Sequence, residues 1–301
     1  MTVATVGQDV ESLLEMAGQK IEQGDLQYAG TIIDKAIALD STDHWLWLTK
    51  AELLFEAYGT PEAMEAVMKA QEIAPDSSEV YNFAGLFLGS GGFTDSAIIM
   101  YNQAIALAQN DTLKHSYILN RGWAKMGHRD FDGARVDYNT VLDFDPNNIA
   151  ALNNLGMIYQ ELRQNELTIK TLKRIIAIDS ASGFSYANLG FTYANMDSLD
   201  LAIRYLNQAL EMGVDESMVL NNRGYAYYRK KDYQQALEDI NASIAGYPTN
   251  AYAYRNLALV YIDLEQFDEA CRTLQYALYY GYTSRYGDDV EQLVKTHCES
   301  E

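Results

Sequence analysis

Small side chains recur along the chain at intervals of 34 residues, with one step of 37, and divide it into similar repeats. Counted from seven positions before each such residue, the repeats begin at residues 10, 44, 78, 115, 149, 183, 217 and 251. The eighth place of a repeat holds alanine or glycine throughout: Ala17, Ala51, Gly85, Gly122, Gly156, Gly190, Gly224 and Ala258. Larger apolar residues surround these places at helical spacing, so each repeat predicts an amphipathic helix.

A second small side chain follows in the same repeat and predicts a second helix. The twentieth place holds alanine in every repeat except one, where Thr168 replaces it. Two small residues that face each other let antiparallel helices approach closely. Turn sequences such as YGTPE at 58–62 separate the helices, and Thr60 is expected to cap the second one. Proline ends the second helix in three repeats, at Pro75, Pro146 and Pro248. Each repeat thus predicts a helical hairpin, and the chain an all-α fold.

The 34-residue interval and the small residues at the eighth and twentieth places resemble the tetratricopeptide repeat family. The resemblance covers residues 10–284, and the sequence departs from it at Thr168 and in the first helix of the first repeat. It implies eight repeats in a right-handed superhelical solenoid of antiparallel helix hairpins. In this family the first helices line a concave groove and the second helices form the convex back.

Two short segments flank the repeats. Residues 1–9 are expected to form an N-terminal tail. Residues 285–301 predict an amphipathic helix with Val290, Leu293 and Val294 on one side. Repeat arrays need a polar-faced cap for solubility, and this helix is expected to cover the open end of the stack.

Asparagine recurs at the sixth place of five successive repeats: Asn120, Asn154, Asn188, Asn222 and Asn256. Asparagine is a mediocre helix former, so its recurrence needs a reason. The family resemblance implies that the sixth place faces the groove, where amides can both donate to and accept from an extended peptide. Similar asparagine rows hold peptide in the repeat domain of the O-linked N-acetylglucosamine transferases. The alternative is a structural role, in which the amides connect one helix to the next, and the two roles can coexist.

Apolar side chains accompany the asparagines on the same predicted face. Four of them occupy the ninth place: Trp123, Met157, Phe191 and Tyr225. Tyr228 is also expected to project towards the groove, and Arg255 to be an isolated cation there. The aromatic residues either pack between helices or form shallow pockets that supply most of the affinity for a ligand. The carboxylate clamp of the family's co-chaperones, built from lysines, an arginine and asparagines, is absent.

The net charge of the chain limits the classes of partner that it is expected to bind. The chain has 22 lysine and arginine residues against 42 aspartate and glutamate residues, a formal net charge of −20. Such a field repels phosphate backbones and anionic lipid, so neither nucleic acid nor a membrane is expected as a partner. A basic or neutral protein segment remains compatible with this acidic chain.

Residues for catalysis or for metal binding are not arranged in any recognisable pattern. The four histidines lack ligand spacing, and glycine-rich phosphate loops are absent, so we expect no enzyme, no cofactor and no metal. The two cysteines do not form the pattern of a disulfide framework, and Cys271 is expected to be a thiol in the core. The N-terminus lacks the features of a signal peptide, and no apolar run is long enough for a membrane span. A cytoplasmic location is therefore expected.

These observations predict a protein-interaction adapter that binds an extended peptide segment of its partner in the groove. The alternative is a structural subunit that builds a homo-oligomer or a larger assembly through its ends or its convex face. Five tyrosines near the C-terminus bear on this alternative: Tyr276, Tyr279, Tyr280, Tyr282 and Tyr286. They either pack under the terminal helix or form a patch for self-association.

Overall fold

The computed structural model describes residues 3–299, except for the side chains of residues 3–8 and 285. Within this range it contains eighteen helices and no strand, which confirms the predicted all-α fold. The first nine helices are α1 Val3–Glu22, α2 Leu26–Leu39, α3 His44–Tyr58, α4 Thr60–Ile73, α5 Ser78–Ser90, α6 Thr94–Leu107, α7 Asp111–Gly127, α8 Phe131–Phe144 and α9 Ile149–Glu161. The others are α10 Asn165–Ile178, α11 Gly183–Asn195, α12 Leu199–Glu211, α13 Glu216–Arg229, α14 Tyr233–Gly246, α15 Ala251–Asp263, α16 Phe267–Tyr279, α17 Tyr282–Tyr286 and α18 Asp289–His297.

The chain divides into two compact units, Met1–Asn154 and Leu155–Glu301, which we call the N-terminal and the C-terminal unit. In the N-terminal unit helices pack in consecutive pairs, α1 with α2, α3 with α4, α5 with α6 and α7 with α8. The C-terminal unit contains the corresponding pairs α11 with α12, α13 with α14 and α15 with α16. Each pair is the hairpin that a repeat predicts, while the limits of the eight repeats stay a prediction.

The small residues of the repeat lie where the two helices of a hairpin meet. Every alanine at the twentieth place is fully buried, from Ala29 to Ala270, and Thr168 is buried as well. Gly122 shows why the eighth place is small, because an added Cβ would lie 2.7 Å from the Tyr138 ring of the second helix. Any larger side chain there would push the two helices apart.

Side chains before the helices satisfy the free backbone N–H groups of the first turns. Asp43 and Asp130 accept such hydrogen bonds in the N-terminal unit, and Asp215 and Asn250 do so in the C-terminal unit. The expected cap at Thr60 is wrong, because α4 begins at Thr60 itself and its hydroxyl donates to the Phe87 carbonyl, 3.2 Å away.

The two ends differ from the prediction. The expected tail over residues 1–9 is helical from Val3 onward, since valines at residues 3, 6 and 10 extend the apolar spacing of α1, while residues 1 and 2 lie outside the described residues. At the other end the helix expected over 285–301 is shorter, α18 at Asp289–His297, and a separate short helix, α17, precedes it; residues 300 and 301 lie outside the described part. Gly287, with φ 111°, ends α17 in a conformation that favours glycine.

Helix α18 packs on α16 through Val290, which is fully buried in a cluster with Leu274 and Tyr282. This contact brings Cys271 and Cys298 together, with 5.5 Å between their Cα atoms, and they form a disulfide bond. The expectation of a free thiol at Cys271 is therefore wrong. The pairing depends on a tertiary contact across 27 residues, which two isolated cysteines do not reveal in a sequence.

The five C-terminal tyrosines are divided between the core and the surface. Tyr282 is buried and Tyr280 is half-buried, whereas Tyr276, Tyr279 and Tyr286 are exposed. Packing under the terminal helices therefore accounts for only part of this cluster.

Candidate functional site

Two of the five asparagines connect neighbouring helices. Asn256 is fully buried and its Nδ2 donates to Asn221 Oδ1 at 3.0 Å, which joins α15 to α13. In the N-terminal unit Asn120 Nδ2 donates to Asn82 Oδ1 at 2.9 Å, which joins α7 to α5. In both cases the asparagine at the sixth place bonds to an asparagine at the fifth place of the preceding repeat. These amides hold helices together, and the Nδ2 group of each donates to a partner within the protein.

Asn154 lies in the N-terminal unit next to the phenol of Tyr138. Burial raises the pKa of Tyr138, and the nearby carboxylate of Asp137 raises it further, while the Asn154 amide opposes the shift. The contact falls short of a full hydrogen bond, because the Tyr138 hydroxyl has no partner within hydrogen-bond geometry among the described residues. Asn154 of α9 therefore faces the buried phenol of Tyr138 of α8.

The amides of Asn188 and Asn222 are different. Both residues are half-buried, and within residues 3–299 neither side chain has a hydrogen-bond partner. They lie on α11 and α13, which contact each other in the C-terminal unit. A fully buried amide without a partner would cost free energy. Because Asn188 and Asn222 are only half-buried, their amides remain accessible to water or to a ligand.

Apolar side chains flank these two amides on the same helix faces, at the i−4 and i+3 positions. Phe184 and Phe191 do so on α11, and Met218 and Tyr225 on α13. Phe184 is 65% exposed and Met218 is also exposed, whereas Phe191 and Tyr225 are half-buried. We call the six residues Phe184, Asn188, Phe191, Met218, Asn222 and Tyr225 the amide stripe.

One end of the amide stripe is fixed by a cation. Arg229 Nη1 donates to the Tyr225 hydroxyl at 3.3 Å, and Nη2 pairs with Asp197 Oδ1 at 2.9 Å. Tyr228 lies beside Tyr225, with ring centroids 6.0 Å apart, and burial raises the pKa of the Tyr228 phenol. The Tyr228 phenol is therefore a neutral hydrogen-bonding group at physiological pH.

The remaining predicted site residues are placed as follows. Trp123 in the N-terminal unit is 55% exposed, and Met157 in the C-terminal unit is 50% exposed. Arg255 is not the isolated cation that was expected, because its Nε and Nη2 bond to Asp289 Oδ2 at 3.1 and 3.0 Å. The guanidinium thereby connects α15 to the C-terminal helix α18.

Sequence reasoning missed two polar clamps that lie next to the asparagine row. Arg121 makes two hydrogen bonds to the buried carboxylate of Asp137, at 2.9 and 2.6 Å, and a third to Asn102 Oδ1 at 2.7 Å. Lys125 also pairs with Asp137, at 2.8 Å.

The second clamp repeats the first in the C-terminal unit. Arg223 binds both carboxylate oxygens of Asp239 at 2.7 Å and Asn207 Oδ1 at 2.7 Å. Both clamps have the same signal in the sequence. One repeat has arginine at its seventh place and aspartate at its twenty-third place, and the preceding repeat has asparagine at its twenty-fifth place.

The chemistry of the amide stripe is that of recognition by hydrogen bonds and apolar contact. Among the described residues no group of three or more histidine, cysteine, aspartate or glutamate side chains could hold a metal ion. None of the described helices combines the length and the apolar character that a bilayer crossing requires.

Comparison with models of protein families finds one type of repeat. Two family models, both described as tetratricopeptide repeat, match residues 138–170 and 192–251. No curated protein matches the chain.

Among solved structures, Cut9 in the APC/C hetero-tetramer Cut9–Hcn1 is 17% identical, with a TM-score of 0.64 over 95% of this chain and 55% of that one. A tetratricopeptide repeat protein from Parabacteroides merdae is 18% identical over 97% of this chain and all of the other, with a TM-score of 0.55. PilW, a type IV pilus biogenesis factor, is 18% identical over 81% of this chain and 96% of its own, also with a TM-score of 0.55. At these identities the likeness shows a shared fold.

Proposed function

Because the chain belongs to the tetratricopeptide repeat family, whose fold is that of protein-interaction scaffolds, we propose that it is a non-enzymatic adapter. Its ligand is an extended peptide segment of a partner protein, which binds along the amide stripe. The observation that carries this proposal is the pair of unpartnered amides, Asn188 and Asn222, on two adjacent helices.

The two amides suit a peptide backbone. An asparagine side chain offers a carbonyl acceptor and an NH₂ donor, which match the N–H and C=O of one extended residue. A folded surface that binds only side chains needs no such pair. The stripe therefore supports recognition that depends weakly on the sequence of the bound segment.

The apolar residues of the stripe supply most of the affinity. One hydrogen bond contributes about 0.5–1.5 kcal/mol net, whereas a buried aromatic anchor in an interface contributes about 2 kcal/mol or more. Phe184 is the exposed aromatic side chain of the stripe, and Met218 is an adaptable apolar contact beside it. A bound segment is held by these groups and oriented by the amides.

The charge of the chain favours a basic or neutral segment, and the proposal includes neither nucleic acid nor membrane. A net charge of −20 attracts basic segments over a range set by the Debye length, about 8 Å at physiological ionic strength. Binding of a basic segment should therefore weaken as salt is added.

The experiment uses a peptide selected on the purified protein from a displayed random library. Its affinity is measured for the wild type and for Asn188→Ala/Asn222→Ala. Loss of two hydrogen bonds predicts about 1–3 kcal/mol, which is roughly 5- to 150-fold weaker binding. The matched control is Asn147→Ala/Asn241→Ala, which removes two exposed amides outside the stripe. Equal affinity of the wild type and the stripe variant would contradict the proposal.

A second candidate function, self-association of a structural subunit, rests on the exposed face of α16. Tyr279 is 81% exposed and Tyr276 is exposed on the same helix. Exposed aromatic pairs of this kind are typical of interaction surfaces. Sedimentation of the wild type and of Tyr276→Ser/Tyr279→Ser over a range of concentrations tests this candidate. An oligomer that the substitutions dissolve supports it, and a wild type that is monomeric at every concentration excludes it.

A further inference from the structure

A cavity of about 390 Å³ lies on the other side of α11 from the amide stripe. It opens between the second helices α10 and α12, and its floor includes Leu189 of α11. Lys173 of α10 and Arg204 of α12 stand at its walls, with Tyr205 and Gln208 between them. All of these residues belong to the C-terminal unit.

The cavity occupies the place that a polar clamp fills in two other repeats. There an arginine at the seventh place, Arg121 or Arg223, pairs with an aspartate at the twenty-third place and an asparagine at the twenty-fifth place of the preceding repeat. In the repeat that starts at 183 the same three places hold Leu189, Tyr205 and Lys173. None of these three residues can form the arginine–aspartate pair of a clamp, and all three line the cavity.

The replacement of the clamp residues also changes which charged groups stand at these positions. In each clamp a buried aspartate pairs with the arginine. The cavity contains two cations, and neither forms an ion pair with a carboxylate in the part of the chain that the structure describes. Lys173 Nζ lies 5.9 Å from the Tyr193 ring centroid, and the Arg204 guanidinium lies 5.2 Å from that of Tyr205. The Tyr193 hydroxyl raises the pKa of Lys173, so the ammonium is charged at neutral pH.

A third feature concerns Gln208. Its Oε1 atom is buried and has no hydrogen-bond partner among the described residues. A buried acceptor without a donor costs free energy, and a ligand with an N–H group would satisfy it. A free carboxylate has no N–H group, whereas a peptide bond does.

We propose that this cavity is a second binding site, which takes a glutamate or aspartate side chain from an acidic segment of a partner protein. The carboxylate lies between Lys173 and Arg204, and its methylene groups contact the apolar lining at Ile176 and Tyr186. A backbone N–H of the same segment donates to Gln208 Oε1. Charge-assisted hydrogen bonds to lysine and arginine are about twice as strong as neutral ones, so this chemistry discriminates against the basic segments proposed for the amide stripe.

The experiment measures fluorescence anisotropy of a short labelled glutamate-rich peptide at low ionic strength. Lys173→Ala/Arg204→Ala should weaken binding by about tenfold or more, because two charged donors are lost. The matched control, Lys35→Ala/Lys295→Ala, removes the same charge from exposed positions away from the cavity and should bind like the wild type. An equal loss in the control would show a non-specific effect of charge and would overturn the proposal.

A third variant closes the cavity with residues that the neighbouring repeats already use. Lys173→Asn/Leu189→Arg/Tyr205→Asp rebuilds the clamp and should abolish binding while the circular dichroism spectrum stays helical. Undiminished binding by this variant would place the acidic segment elsewhere and overturn the proposal. If it fails to fold, the alanine pair decides alone.

Two further measurements separate the alternatives. Asn188→Ala/Asn222→Ala should leave affinity for the glutamate-rich peptide unchanged, so that failure of the amide-stripe proposal is distinguishable from failure of this one. Free glutarate, a dicarboxylate without an N–H group, should compete poorly. Displacement of the peptide by glutarate at comparable concentration would assign the cavity to a free dicarboxylate and contradict a peptide ligand.

Discussion

The asparagine at the sixth place has different roles in two repeats, one that begins at residue 115 in the N-terminal unit and one that begins at residue 217 in the C-terminal unit. Asn120 bonds to Asn82 in the first, while Asn222 in the second has no partner among the described residues. The difference comes from the fifth place of the preceding repeat, which holds Asn82 before Asn120 but Ala187 before Asn222. Alanine offers no polar group, so the amide of Asn222 stays available. For Asn120 and Asn222 the residue at the fifth place of the preceding repeat therefore decides whether the amide is bonded within the protein.

The largest expected effect concerns the two clamps. Asp137→Ala leaves both Arg121 and Lys125 without their buried carboxylate, and loss of one partner of a buried pair costs roughly 3–5 kcal/mol. Asp239→Ala leaves one cation, Arg223, and should cost less. Urea denaturation of the two variants measures the difference. A larger loss for Asp239→Ala would contradict this account of the clamps.

The disulfide bond gives the next effect. It closes a loop across 27 residues, for which the expected stabilisation is about 2–4 kcal/mol. Cys271→Ser/Cys298→Ser should lower the thermal midpoint, and a reducing agent should lower the wild type to the same value. The N-terminal unit contains no cysteine, so limited proteolysis of the reduced protein should begin near α18. Cleavage that begins in the N-terminal unit instead would show that the bond does not stabilise the C-terminal helices.

The asparagines provide a direct comparison of a connecting amide with an available one. Asn256→Ala removes a buried bond to Asn221 and should cost about 1–3 kcal/mol of unfolding free energy. Asn222→Ala should change stability by less than about 0.5 kcal/mol, because alanine is the better helix former and no partner is lost. If the two variants lose equal stability, the distinction between them is wrong.

The smallest effect concerns the turns inside the hairpins. Gly24 and Gly92 have positive φ at the fifteenth place of their repeats, and Lys231 and Glu265 have positive φ at the same place of theirs. Gly92→Ala should destabilise by about 1 kcal/mol, since alanine is strained there. Lys231→Gly should stabilise by about 0.5 kcal/mol. Thermal denaturation measures both, and a loss of stability in Lys231→Gly would show that its turn is not strained.

Much of the fold follows from the sequence, because the small residues at the eighth and twentieth places leave one way to pair the helices. The bond of Asn256 to Asn221 could not be predicted from this pattern, because Asn153 precedes Asn188 in the same way and the Asn188 amide has no partner among the described residues. The disulfide could not be predicted either, because it depends on how α18 docks on α16. Disulfide bonds persist mainly in oxidising compartments, so the cytoplasmic location stays a prediction that this bond does not favour.

The candidate site was predictable as a face of the helices but not residue by residue. The resemblance places the sixth and ninth positions on one side, and Asn188, Asn222 and Tyr225 lie there. It could not reveal that Arg255 pairs with Asp289, since that residue lies in the terminal helix outside the repeats. The exposure of a side chain depends on its particular neighbours, and a pattern shared by all repeats does not specify them.

The most direct test of the central claim follows the side-chain amides themselves by nuclear magnetic resonance. The protein is labelled with ¹⁵N and titrated with the library-selected peptide, and the NH₂ signals of the asparagines are assigned by substitution. The account predicts that the signals of Asn188 and Asn222 shift as the peptide saturates the protein, while those of Asn120 and Asn256 stay in place because their amides are already bonded. Saturation of the protein with no shift at Asn188 and Asn222 would contradict it.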